Sequence, residues 1–72
     1  MKPIVEVFKT NVQEAAASVT LIQRLLEHFP GGRISFDLED CDRVLRVEQH
    51  NVCRKTIVRL LTDHGYECEV ME

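Results

Sequence analysis

The 72-residue sequence has no apolar run long enough to cross a bilayer or to form the core of a secretory signal. Its longest uncharged stretch, residues 15–23, carries Ser18, Thr20 and Gln23, and the opening MKPIVEVFKT contains no small-residue cleavage site. A cytoplasmic chain with no membrane contact is the expectation. Cysteine is scarce: Cys41, Cys53 and Cys68 are odd in number, widely spaced and form no CxxC, which argues against a disulfide framework and suits a reducing compartment. Basic residues are outnumbered, with nine Lys and Arg against twelve Asp and Glu. The resulting net charge of −3 makes a phosphate backbone a poor partner. Glycine is limited to three positions, and Gly31 and Gly32 follow a helical pattern, the wrong side for cradling an anion on a helix N-terminus.

What is present is an ordinary globular composition, 44% hydrophobic and 29% charged, in a length that fits one small domain over residues 1–72. IVEVFK at residues 4–9, rich in β-branched and aromatic types behind Pro3, reads as a strand. Asn11 is a candidate N-cap for a helix over residues 12–29, whose apolar stripe would be Val12, Ala15 or Ala16, Val19, Ile22, Leu26 and Phe29. Pro30, Gly31 and Gly32 stop it. In RISFDLED, Ile34, Phe36 and Leu38 alternate with polar residues, and in VLRVEQ, Leu45 and Val47 lie opposite Val44, Arg46 and Glu48, so the two segments read as a hairpin. Asn51 would cap a second helix with Cys53, Ile57, Leu60 or Leu61, and His64 inward, ending at Gly65. YECEVM closes the series as a strand with Tyr66, Cys68 and Val70 inward.

The order β-α-β-β-α-β is that of a ferredoxin-like α+β two-layer sandwich, with two helices on one face of an antiparallel sheet of order 4-1-3-2. The expected core is Val5, Val7, Val19, Ile22, Leu26, Ile34, Phe36, Leu38, Leu45, Val47, Ile57, Leu60, Tyr66 and Val70, and Leu26→Ala is expected to cost roughly 2 to 5 kcal/mol.

Four segments in this order carry a likeness to a known family. They are Ile22, Leu25 and Leu26 on the first helix, FPGG at Phe29 to Gly32, ISFDLED at Ile34 to Asp40, and HGYECEV at His64 to Val70. Over nearly the whole chain the sequence resembles the heavy-metal-associated domain of copper chaperones and metal-transporting ATPases. That family holds soft metal ions with two cysteines in the loop opening the first helix, and the resemblance places those positions at Ala15 and Ser18. Alanine has no donor atom and a serine hydroxyl is a feeble ligand for Cu(I), so the family's metal function does not carry over to them.

Two substitute ligand sets deserve weighing against blander roles. Cys41 and His64 lie at the family's metal end and supply one sulfur and one nitrogen, too few for a tight site. His28, His50 and Cys53 come from two loops at the other end and would suit Zn(II) or Cu(II) if they converge; surface histidines and a core cysteine are the simpler account. Cys68 reads as a small core hydrophobe. The acidic cluster Asp37, Glu39, Asp40 and Asp42 is explained by strand alternation and turn chemistry, and a small two-layer domain is not expected to hold an enzyme's concave pocket. RNA-binding modules of this fold stack bases on sheet aromatics, for which Phe8 alone is available.

If Val5 and Val7 face the helices, then Ile4, Phe8, Val44 and Arg46 lie on the uncovered face of the sheet, with Glu6 beside Arg46. The expectation is therefore a non-enzymatic protein-binding module without cofactor, its partner another protein or a second copy in a weak homodimer through those four residues. A Cu or Zn carrier using the substitute ligands is the alternative.

Overall fold

The computed structural model describes residues 2–71. Its elements are β1 (Ile4–Thr10), α1 (Ala15–His28), β2 (Arg33–Asp37), β3 (Val44–Gln49), α2 (Arg54–Asp63) and β4 (Cys68–Val70). All strand pairings are antiparallel, and the sheet order is β2-β3-β1-β4, which read from the β4 edge is 4-1-3-2. α1 packs over β2, α2 over β4, and the helices touch each other. One continuous core joins Phe8, Leu21, Leu25, Leu45, Val47, Ile57 and Leu61. No helix among the described residues is long and apolar enough to cross a membrane.

β2 and β3 alternate as the sequence indicates. Ile34 and Phe36 lie opposite Val47 and Leu45 and pack on the core, as do Leu38, Tyr66, Cys68 and Val70. β1 is turned over relative to the expectation. Phe8 pairs with Leu45 and is fully buried, whereas Val5 is 49% exposed. Directly opposed residues of an antiparallel pair share a face, so Ile4, Glu6, Phe8 and Thr10 face the helices while Val5, Val7 and Lys9 face away. The inward polar groups are satisfied: Glu6 Oε2 lies 3.0 Å from Arg54 Nε on α2, and Thr10 Oγ1 donates to Arg43 O at 2.6 Å and accepts from Val12 N at 3.3 Å. Glu6 is thus paired with Arg54 and not with Arg46, whose opposite residue is Val7.

α1 is displaced in the same sense. It begins at Ala15, behind Glu14, and not at Val12 behind Asn11; Asn11 Oδ1 instead accepts the Glu67 N–H at 2.8 Å. The buried face of the helix is Ser18, Leu21 and Leu25, continued by Phe29, while Val19 and Leu26 are exposed and Ile22 is half-buried. Ser18 tolerates its buried place because its hydroxyl donates to Ala15 O at 2.7 Å. On α2 the core residues are Ile57, Leu60 and Leu61; the N-cap position is Cys53 and not Asn51, and both Cys53 and His64 are exposed instead of inward.

α2 ends in a Schellman turn. Tyr66 N donates to Leu61 O at 2.9 Å and Gly65 N to Thr62 O at 3.0 Å, with Gly65 at φ 86°. These contacts generate two stability predictions, both read by urea unfolding. Leu25→Ala should cost roughly 2–5 kcal/mol and Leu26→Ala no more than about 1 kcal/mol, reversing the importance that periodicity alone assigns to Leu26. Gly65→Ala should cost about 1–2 kcal/mol, because a Cβ disfavours the left-handed conformation there.

Candidate functional site

One end of the domain gathers the β1–α1 loop, the β2–β3 hairpin tip and the approach to β4. Thr10 N donates to Asp42 O at 3.0 Å, and Glu67 N to Asn11 Oδ1. The two positions where the resemblance puts metal ligands open α1: Ala15 is exposed and Ser18 is buried with its hydroxyl committed to Ala15 O. Among the described residues, one group of three His, Cys, Asp or Glu side chains brings its ligand atoms within 4.8 Å of one another, namely Asp40, Cys41 and Asp42 at the hairpin tip. His64 is not part of it; its Nδ1 lies 2.8 Å from Leu60 O at the end of α2.

The tip group is built by turn chemistry. Asp40 Oδ1 accepts the Asp42 N–H at 2.9 Å, Asp40 O accepts the Arg43 N–H at 3.0 Å, and Arg43 adopts φ 46° while its guanidinium bonds to Leu38 O. Asp42 Oδ1 lies 3.7 Å from Lys9 Nζ. Both carboxylates are therefore engaged, and a single exposed thiol between two hard oxygen donors is a poor match for a soft cation.

At the other end, Gln49 Nε2 donates to Pro30 O at 2.9 Å, and His50 lines a hollow with Pro30 and Gly31. His28, His50 and Cys53 are all exposed and do not form a ligand group. His28 and His64 instead line the groove of about 600 Å³ between the helices, where Arg24, Glu27, Arg59 and Asp63 mix both signs of charge.

The uncovered face of the sheet is the remaining broad surface. Ile4 and Phe8, expected there, belong to the opposite face, and Phe8 is inaccessible. Val44 and Arg46 are on it, half-buried and exposed respectively. They are joined by Val5 and Val7, with Met71, 39% exposed, beside Val7, to which it is tied by Met71 N donating to Val7 O at 2.8 Å. Around these apolar groups the strand registers interleave Lys9, Arg33 and Arg46 with Asp37, Glu48 and Glu69. Val7, Ser35, Asp37, Val44 and Arg46 line a hollow of about 440 Å³. Sequence alternation along β1 concealed Val5 and Val7; the signal that exposes them is Glu6, whose partner Arg54 is remote in the chain.

The cysteines differ in chemistry. The neutral Cys53 thiol makes no capping hydrogen bond, but the Thr56 hydroxyl and N–H beside it, and then Lys55, favour the thiolate and hold the group below its ordinary range. Burial pushes the Cys68 thiol up to about 11. Iodoacetamide at pH 8, followed by peptide mapping, should modify Cys53 well before Cys68, with the difference abolished in urea. Because the Cys68 value is raised on folding, its contribution to stability is complete below pH 9 and is lost as pH rises through about 11. Thermal unfolding should show that loss, and Cys68→Ala should flatten it.

Comparison with protein-family models, with curated proteins and with solved structures finds no match for this chain.

Proposed function

We propose that this chain is a cytoplasmic, non-enzymatic protein-binding module: a ferredoxin-like βαββαβ sandwich akin to the heavy-metal-associated domain, in which the uncovered sheet face has replaced a metal loop as the working surface. The observation that carries the reading is the apolar strip Val5, Val7, Val44 and Met71 set among three cations and three anions on a sheet with helices on its other side only. Interleaved charge of both signs allows the face to complement itself across a two-fold axis, which favours a second copy of the chain as the occupant over a partner of one charge sign.

The magnitudes fix the strength of such a pair. Covering what is exposed of these side chains, about half of Val5, somewhat less of Met71 and a smaller part of Val7 and Val44, is worth on the order of 0.5–1 kcal/mol each, and two copies of the strip contribute about 6 kcal/mol in all. Association costs roughly 4–15 kcal/mol in lost freedom, so the dimer is weak. Sedimentation equilibrium should detect dimer at high micromolar to millimolar concentration and monomer for Val7→Asp, with an unchanged circular dichroism spectrum. A wild-type protein that stays monomeric at millimolar concentration overturns the second-copy assignment. Phe8→Asp is no probe of this surface, since it places a charge in the core and should unfold the chain.

Metal carriage is the competing reading, and the tip group Asp40, Cys41 and Asp42 is the observation in its favour. Calorimetric titration with Cu(I) and Zn(II) separates the two. The protein-binding reading expects no submicromolar stoichiometric site; such a site lost on Cys41→Ser would replace it with metal carriage.

A further inference from the structure

On the helix side of the sheet, α2 and the edge strand β4 leave between them a groove of about 360 Å³, lined by Arg54, Lys55, Val58, Arg59, Thr62, Asp63 and Val70. Its floor is apolar, since Val58 and Val70 are both half-buried against the core. Its rim is basic. Three of the nine Lys and Arg of a chain with net charge −3 stand here against one acid. Arg54 is engaged by Glu6, whereas Lys55 and Arg59 make no ion pair among the described residues.

The wall opposite α2 is a free strand edge. Among the described residues no strand pairs with β4 on the side away from β1. Glu67 N donates to Asn11 Oδ1 and Met71 N to Val7 O, both at 2.8 Å, so the odd-numbered residues of this segment turn their N–H groups toward β1. Alternation then directs the backbone N–H and C=O groups of Cys68 and Val70 outward. Their side chains face the helix layer, so the hydrogen-bonding edge and the apolar floor belong to one surface.

We infer that this groove receives an extended acidic segment of another protein, which adds to β4 as a further strand. Its backbone pairs with Cys68 and Val70; of its side chains turned to the helix layer, every second residue of the strand, an apolar one covers Val58 and Val70 and the acidic ones flanking it meet Lys55 and Arg59, while the uncharged residues between them lie on the face of Glu69. Backbone pairing supplies the affinity and the basic rim selects the sign of charge. The inference stands apart from the open-face contact, because it concerns the opposite side of the sheet and a different occupant.

The test uses the full chain and a fluorescein-labelled peptide of about eight residues, the Val–Glu peptide, with Glu, Val and Glu at every second position and Thr between them, a length typical of one strand. Anisotropy should report binding, and the same peptide with Lys in place of Glu, the Val–Lys peptide, should bind at least about tenfold more weakly. In ¹⁵N correlation spectra the amide shifts should centre on Val58 and Cys68 to Met71, and hydrogen exchange at Cys68 and Val70 should slow. The double variant Lys55→Glu/Arg59→Glu, altered only at exposed positions, should lose about tenfold or more in affinity for the Val–Glu peptide and keep its circular dichroism spectrum. The inference is overturned if the Val–Glu peptide fails to bind at about millimolar concentration, if both peptides bind equally, if the double variant binds as the wild type does, or if the shifts centre on β2 instead of β4.

Discussion

The pairing of Phe8 with Leu45 at the centre of the sheet is the constraint on which the rest of the molecule depends. Because side chains alternate along a strand, this one pair assigns every residue of β1 to a face. Apolar burial alone does not choose between the two settings: two valines gain about as much as Phe8 with the partly covered Ile4. Charge chooses. The opposite setting would turn Lys9 into the helix layer and expose Phe8, whereas the observed one turns in Glu6, for which α2 supplies Arg54. That pair spans the two layers and ties the start of α2 to the middle of β1. With Arg54 about half exposed, its worth lies more in fixing the register than in free energy.

The same logic governs α1. The stripe Val19, Ile22, Leu26 and the stripe Ser18, Leu21, Leu25 have identical three- and four-residue spacing and differ by one residue, or 100° around the helix axis. Periodicity counts both as amphipathic faces and prefers the one without a serine. The serine is nevertheless the inward residue, because a hydroxyl that donates to the carbonyl three residues back carries no unsatisfied donor into the core. Phe29 ends either stripe, so it could not arbitrate between them.

Elements bounded by strong local signals were legible in the sequence. One face of β2 and β3 carries Arg33, Asp37, Arg46 and Glu48 and the other Ile34, Phe36, Leu45 and Val47, and an inward charge without a partner is costly enough that only one register is tenable. Gly65 ends α2 where a left-handed residue is needed, and Pro30 and Gly31 end α1. Of the open-face residues, Val44 and Arg46 were readable from β3 for that reason. Val5 and Val7 were not, since their exposure follows from an ion pair 48 positions apart in the chain. The groove beside β4 was equally out of reach, because it exists only once β4 is known to be an edge and α2 is known to turn Val58 toward it.

Ser18 also connects the fold to the question of function. In a domain that holds a soft metal at the opening of its first helix, that helical turn must leave its side chains free to leave the surface and meet an ion. Here the turn is closed on itself: Ser18 N donates to Glu14 O, its hydroxyl to Ala15 O, and the side chain is buried. The adjoining hairpin tip is likewise consumed by its own turn, with Asp40 bonded to the Asp42 N–H and Asp42 facing Lys9. The polar groups at this end are therefore largely taken up by the turns that hold them, and the surfaces open to contact are one sheet face and one strand edge. Contacts of that kind draw on backbone pairing, partly exposed valines and screened surface charge, which makes them individually weak, reversible and sensitive to ionic strength.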